Sequence, residues 1–106
     1  MASTVGLRYF STSRKATNAA LPVRTVGFVP KKVTVRNKTS NAMLEWHEGL
    51  EDGEGFKTVA AGTRTFASAD GISPLAAGTE EPGFSLGTLA DINDTVGEDL
   101  LIECWG

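Results

Sequence analysis

The stretch Lys32-Val33-Thr34-Val35-Arg36-Asn37-Lys38-Thr39-Ser40-Asn41-Ala42-Met43-Leu44-Glu45-Trp46-His47-Glu48 decides how this chain folds. Over residues 32–36 basic or polar side chains alternate with apolar ones, which puts Val33 and Val35 on one side and Lys32, Thr34 and Arg36 on the other. A period of two with β-branched residues on the apolar side predicts a half-buried strand with its valines inward. Asn37 to Asn41 is a turn. Ala42 to Glu48 then alternates again, with Leu44 and Trp46 sharing one face and Met43, Glu45 and His47 the other.

The same grammar continues on the C-terminal side. Gly49 to Gly55 holds three glycines and reads as a second turn. Phe56 to Val59 starts another strand, Ala60-Ala61-Gly62 breaks it, and Thr63 to Ala67 resumes. Asp70-Gly71-Ile72-Ser73-Pro74 is expected to turn the chain, and Leu75 to Pro82 to loop. Phe84-Ser85-Leu86 is a short strand, Ala90 to Gly97 a polar loop. Leu100 to Trp105 is a final strand with Leu100, Ile102 and Cys104 on one face. Before the opening stretch, Pro22 and Pro30 hold their neighbours extended. The pairs Gly27-Phe28, Gly55-Phe56 and Gly83-Phe84 are each read as the start of a strand. No window carries a helical stripe, and 12 glycines punctuate short β segments. The pattern predicts an all-β protein, a small antiparallel β-sandwich or jelly-roll-like barrel over residues 21–106.

Residues 1–20 have a different composition. They are mostly Ser, Thr, Ala and Asn with a β-prone island from Val5 to Phe10, too little apolar surface for a core of their own. The expectation is an extended N-terminal arm, flexible or ordered by a partner, whose removal leaves the body folded. At 106 residues the chain is one domain, and such a domain buries only about two-thirds of its unfolded surface.

Charge is divided along the chain. The first 44 residues carry no carboxylate and eight cations: Arg8, Arg14, Lys15, Arg24, Lys31, Lys32, Arg36 and Lys38. From Glu45 onward, 13 carboxylates stand against Lys57 and Arg64, so +8 and −11 give the net −3. Opposite poles on one chain favour ordered association with protein. Nucleic acid is the disfavoured partner, because an acidic body repels phosphate.

Little points to chemistry. Cys104 is the only cysteine, so no intrachain disulfide forms, and its apolar neighbours mark it as a buried hydrophobe. His47 is the only histidine, which excludes a multi-histidine metal site. Glu48, Glu51, Asp52 and Glu54 do not follow the calcium-loop ladder, and neither does Asp91-Ile92-Asn93-Asp94. No phosphate-binding glycine motif occurs, no apolar run reaches the ~20 residues of a membrane span, and Met1 to Ala20 lacks the apolar centre of a secretory signal. No catalytic, cofactor or metal residue is assigned.

From Gly27 onward the order of features resembles a family of small structural proteins of tailed bacteriophages. Carrying the resemblance are Gly27-Phe28-Val29-Pro30-Lys31-Lys32-Val33-Thr34-Val35, the turn Asn37-Lys38-Thr39, Leu44-Glu45-Trp46, Gly49 to Gly53, and Phe56-Lys57 with Ala60-Ala61-Gly62-Thr63. Gly71-Ile72-Ser73, Gly83-Phe84-Ser85-Leu86-Gly87 and Ile92-Asn93 before a terminal aromatic strand complete it. The resemblance implies a non-enzymatic virion component without cofactor, made in the host cytoplasm and carried on the capsid surface. In that reading it is a decoration (cement) protein that binds the major capsid protein and ties neighbouring subunits together, with copies of itself, a homotrimer suiting three-fold positions, as further partners. The arm residues Arg8, Tyr9, Phe10, Arg14, Lys15, Leu21 and Val23 are the expected partner contacts. Lys31, Lys32, Arg36, Glu51, Asp52 and Glu54 form a candidate self-association surface. The alternative is a tail, fibre or head-spike module with Trp46, Trp105 or Tyr9 as a glycan platform.

Overall fold

The computed structural model describes residues 8–78 and 80–106 of the chain. The decisive stretch forms β3 (Lys32–Asn37) and β4 (Met43–His47), paired antiparallel from Lys32↔His47 to Arg36↔Met43. Val33, Val35, Leu44 and Trp46 are buried, as the alternation requires. Around them lie β1 (Tyr9–Lys15), β2 (Leu21–Val23), β5 (Glu54–Thr58), β6 (Arg64–Leu75), β7 (Gly83–Leu86) and β8 (Asp99–Trp105). All eight strands join one antiparallel sheet in the order β1-β8-β3-β4-β5-β6-β7-β2, curled into a half-barrel. The protein is therefore all-β, as the sequence predicts.

The curl follows from chain length. β1 and β2 are consecutive in sequence yet occupy opposite ends of the sheet order. In a flat sheet seven strand spacings would separate them by about 34 Å, whereas the six Cα steps from Lys15 to Leu21 reach at most about 21 Å. The sheet has to bend its flanks toward each other. Three connections cross between those flanks: residues 16–20, 24–31 and 87–98. They bring Ala16, Val26, Phe28 and Ile92 to the same core as Val23, Ile72, Phe84, Leu86, Leu100, Ile102 and Cys104.

Two buried asparagines hold one end closed. Asn93 Oδ1 accepts the Thr17 amide (2.7 Å), and its Nδ2 donates to the carbonyls of Ala19 (2.9 Å) and Gly87 (3.0 Å). Asn37 Nδ2 donates to Ile92 O and to Glu98 Oε1, both at 2.9 Å, while its Oδ1 accepts the amides of Thr39 and Ser40 in the β3–β4 turn. Each side-chain amide is thus satisfied although fully buried. At the other end Lys31 N–H bonds Trp105 O (2.7 Å) and Gly106 N–H bonds Arg8 O (3.0 Å). β2 and β7 come so close that a side chain at Gly83 would overlap the Val23 carbonyl.

Four expectations change. The arm expected over residues 1–20 is not separate where the structure describes it: Tyr9–Lys15 is an edge strand on β8, from Tyr9↔Trp105 to Lys15↔Asp99, and Ala16 is core. The division at residue 20 therefore falls inside the sheet. Polarity misleads here because β1 covers one flank of a core that other strands supply. Residues 1–7 of that expected arm lie outside the described residues. Asp70 to Pro74 does not reverse the chain; β6 runs through it, absorbing a bulge between the pairs Gly55↔Ala67 and Glu54↔Ile72. Gly27-Phe28 starts no strand, whereas Gly83-Phe84 opens β7 and Gly55-Phe56 lies in β5.

Candidate functional site

The convex face of the sheet is the surface the fold offers to others. Alternation that sends valines inward sends the other parity outward, and strand register sorts those side chains into rows. One row runs Tyr9, Trp105, Lys32, His47. The next runs Ser11, Glu103, Thr34, Glu45, Phe56, Phe66, and the third Ser13, Leu101, Arg36, Met43, Thr58, Arg64. Tyr9 (55% exposed), Phe66 (51%) and Leu101 (42%) are the exposed apolar side chains among them.

Charges on this face are mostly matched. Arg36 lies 3.8 Å from Glu103, and Arg64 2.8 Å from Glu45. Lys15 pairs with Asp99, whose carboxyl is held below its ordinary value by that hydrogen bond and charge. The Tyr9 phenol donates to Glu103 Oε2 (2.7 Å), a bond that raises its pKa above the ordinary value near 10.0. Tyr9 also packs on Trp105 at 5.5 Å between centroids, with Lys32 Nζ 5.0 Å from the Trp105 ring. On the far side Phe56 meets Phe66 at 5.4 Å, and the Arg64 guanidinium lies 5.3 Å from the Phe56 ring. A shallow depression of about 370 Å³ lies on the β1–β8–β3 part of this face, lined by Tyr9, Ser11, Ser13, Arg36, Leu101 and Glu103 among others.

The predicted partner contacts scatter. Tyr9 and Lys15 stand on the convex face. Arg8 is exposed and stacks on the Phe28 ring at 5.9 Å. Phe10 turns inward and packs, half-buried, against the core, as does Leu21. Val23 is fully buried. Phe10, Leu21 and Val23 are therefore not exposed anchors, since the curled sheet uses their apolar surface itself. Arg14 is half-buried, its guanidinium 3.0 Å from Thr25 Oγ1 across the seam between the two flanks.

The predicted self-association residues divide too. Arg36 and Lys32 belong to the convex face, each already engaged there. Lys31, Glu51 and Asp52 are exposed at the end of the sheet, where Glu48 N–H bonds Lys31 O (2.7 Å). Glu54 is half-buried and caps its own turn by accepting the Glu51 amide (2.8 Å). The two charge poles of the sequence meet in part in three dimensions: Lys15 pairs with Asp99, Arg36 with Glu103 and Arg24 with Glu80.

Among the described residues no group of three or more His, Cys, Asp or Glu is placed to hold a metal ion, and no helix is long and apolar enough to cross a membrane. Cys104 is buried and unpaired, and burial pushes its thiol up to about 12, which suppresses the reactive thiolate. Residue parity could have found the convex face from sequence; Phe66 and Arg64 as its far border could not be found so, because their place depends on register across β5. No protein-family model, curated protein or solved structure matches this chain.

Proposed function

We propose that this protein is a non-enzymatic structural component of a tailed-phage virion, a decoration (cement) protein that binds the head exterior and ties neighbouring capsid subunits together. The motif order from Gly27 onward supplies the class. The observation that carries the mode of action is the convex face, where Tyr9, Trp105, Leu101, Met43, Phe56 and Phe66 share one surface with Arg36 and Arg64. Aromatic, Met and Arg side chains are the types enriched in protein interfaces. Repetition over a symmetric shell lets many weak contacts of this kind sum to tight attachment. In this reading the partner is the major capsid protein, and the protein reaches the capsid surface from the host cytoplasm.

The test is co-sedimentation of the purified protein with heads of the phage that encodes it. The expected result is saturable attachment, weakened at least tenfold by the double substitution Tyr9→Ser and Phe66→Ser with the circular dichroism unchanged. Attachment to tails and not heads would overturn the decoration reading.

A second reading, a glycan-binding tail or fibre module, draws support from the neighbouring Tyr9 and Trp105 rings beside Lys32. Trp46 has no part in it, being buried. Reproducible glycan-array binding abolished by Trp105→Ala supports that reading, and an array without signal removes it.

A further inference from the structure

We infer that β1 is a self-pairing edge, joining β1 of a second copy antiparallel about a two-fold axis at Thr12 to continue one sheet through two molecules. The inference concerns this edge alone and stands whether or not the protein decorates a head.

Residue parity along β1 sorts its backbone groups between the two sides of the strand. The pairing of β1 with β8 extends at both ends: Gly106 N–H bonds Arg8 O, and Ala16 N–H bonds Glu98 O. Both Arg8 and Ala16 are even-numbered, and antiparallel ladders alternate strictly. Phe10, Thr12 and Arg14 therefore spend their backbone groups on β8. The N–H and C=O of Tyr9, Ser11, Ser13 and Lys15 point away from it. Among the described residues no other backbone bonds to that side, and of these groups the Ser13 carbonyl accepts a side chain, Arg14 Nη1 at 3.1 Å.

Edges of this kind are usually blunted by proline, brevity or charge. The opposite edge, β2, has two of these defences, being three residues long with Pro22 at its centre. β1 runs seven residues without proline. Both of its cations are engaged by its own chain: Lys15 pairs with Asp99, and the Arg14 guanidinium bonds Thr25 Oγ1 (3.0 Å) and the Ser13 carbonyl (3.1 Å).

The occupant follows from the sequence of the edge itself. Tyr9-Phe10-Ser11-Thr12-Ser13-Arg14-Lys15 is complementary to its own reverse. Turned about Thr12, Tyr9 stands opposite Lys15 of the other copy and Phe10 opposite Arg14, so no like charges oppose each other along the pairing. Ser11 faces Ser13, and Thr12 faces Thr12, pairs that hydrogen-bond across strands. The same register makes Tyr9 and Lys15, and Ser11 and Ser13, the hydrogen-bonded pairs, each exchanging two bonds through groups that β8 does not use, with the Ser13 carbonyl exchanging Arg14 Nη1 for the Ser11 amide of the other copy. A shift by one residue would oppose groups already used by β8. The two-fold pairing consumes the edge and closes at two copies.

Sedimentation equilibrium of the full chain, combined with residue-resolved amide exchange, tests this. The expected particle has twice the chain mass, and dilution returns it to one. The amides of Phe10, Thr12 and Arg14 exchange slowly throughout, whereas those of Tyr9, Ser11, Ser13 and Lys15 slow only in the dimer. Ser11→Pro removes one outward N–H, and Ser11→Lys places like charges at the same edge on an exposed position; each is expected to halve the mass with unchanged circular dichroism. The wild-type exchange pattern needs no variant, so a misfolded Ser11→Pro leaves the test intact. A monomer at every concentration, a trimer, or a dimer whose odd-numbered amides stay fast overturns the inference. Loss of head binding with pairing retained would count against the decoration reading alone.

Discussion

Replacing Asn93 with alanine removes three hydrogen bonds: Thr17 N–H to Oδ1 and Nδ2 to Ala19 O hold the crossing segment 16–20 to the loop 87–98, and Nδ2 to Gly87 O ties that loop to itself. Each is worth about 1 kcal/mol net. Thr17 and Ala19 are exposed, so water can take over part of their bonding, whereas Gly87 is half-buried and keeps more of the loss. The expected destabilisation is about 2–3 kcal/mol. In urea, with a slope of about 1–3 kcal/mol/M, the midpoint should fall by roughly 1–2 M. Unfolding followed by tryptophan fluorescence reads this, because Trp46 is core and Trp105 packs on Tyr9. Amide exchange adds a local signature: Thr17 N–H should lose protection before the β3–β4 amides do. Thr95→Ala, on an exposed residue of the same loop, is the control and should stay within about 0.5 kcal/mol. A loss below about 0.5 kcal/mol for Asn93→Ala would refute the view that this amide pins the closure.

Deleting residues 2–20 removes all of β1 and the buried Ala16, so circular dichroism should show loss of the cooperative native fold; a truncated chain with an unchanged melt would mean β1 is dispensable. Tyr9 is the only tyrosine, so phenolate absorbance reports its titration alone. The neutral phenol makes the bond to Glu103, so its contribution is present below the unfolded pKa near 10.0 and is lost as pH rises through the raised folded value. Glu103→Gln should move that midpoint down, and an unmoved midpoint would show that the bond is not formed. Cys104, with its thiol pushed up to about 12 by burial, should resist thiol reagents in the native state and react at the rate of unfolding; rapid native labelling at neutral pH would contradict its core position.

Several strands were legible because their side chains obey a local rule. Val33, Val35, Leu44 and Trp46 alternate with polar residues, Leu100, Ile102 and Cys104 keep the same period of two, and all are buried. β1 was not legible as part of the body: Ser11, Thr12 and Ser13 have little apolar content to declare a buried face. Its place depends on β8 needing a neighbour. Asp70 to Pro74 looked like a turn because it concentrates turn-forming residues, yet β5 and β7 hold the strand on either side of the bulge. Asn93 lay in a stretch read as a polar loop, and no local pattern separates a buried amide from a solvated one. Its burial is decided by the chain segments that cross above it.

The sequence by itself determined the all-β class, the inward faces of the central strands and the absence of a histidine or cysteine cluster. These follow from composition and from period-two alternation, which act over neighbouring residues. Only the tertiary structure decided which strands form the flanks, how the crossings bend the sheet, and that Lys15, Arg24 and Arg36 of the basic front pair with Asp99, Glu80 and Glu103. Those outcomes arise from contacts between residues far apart in sequence, such as Tyr9 with Glu103 and Thr17 with Asn93. A charge or an amide carries no local mark of the partner it will find once the chain has closed.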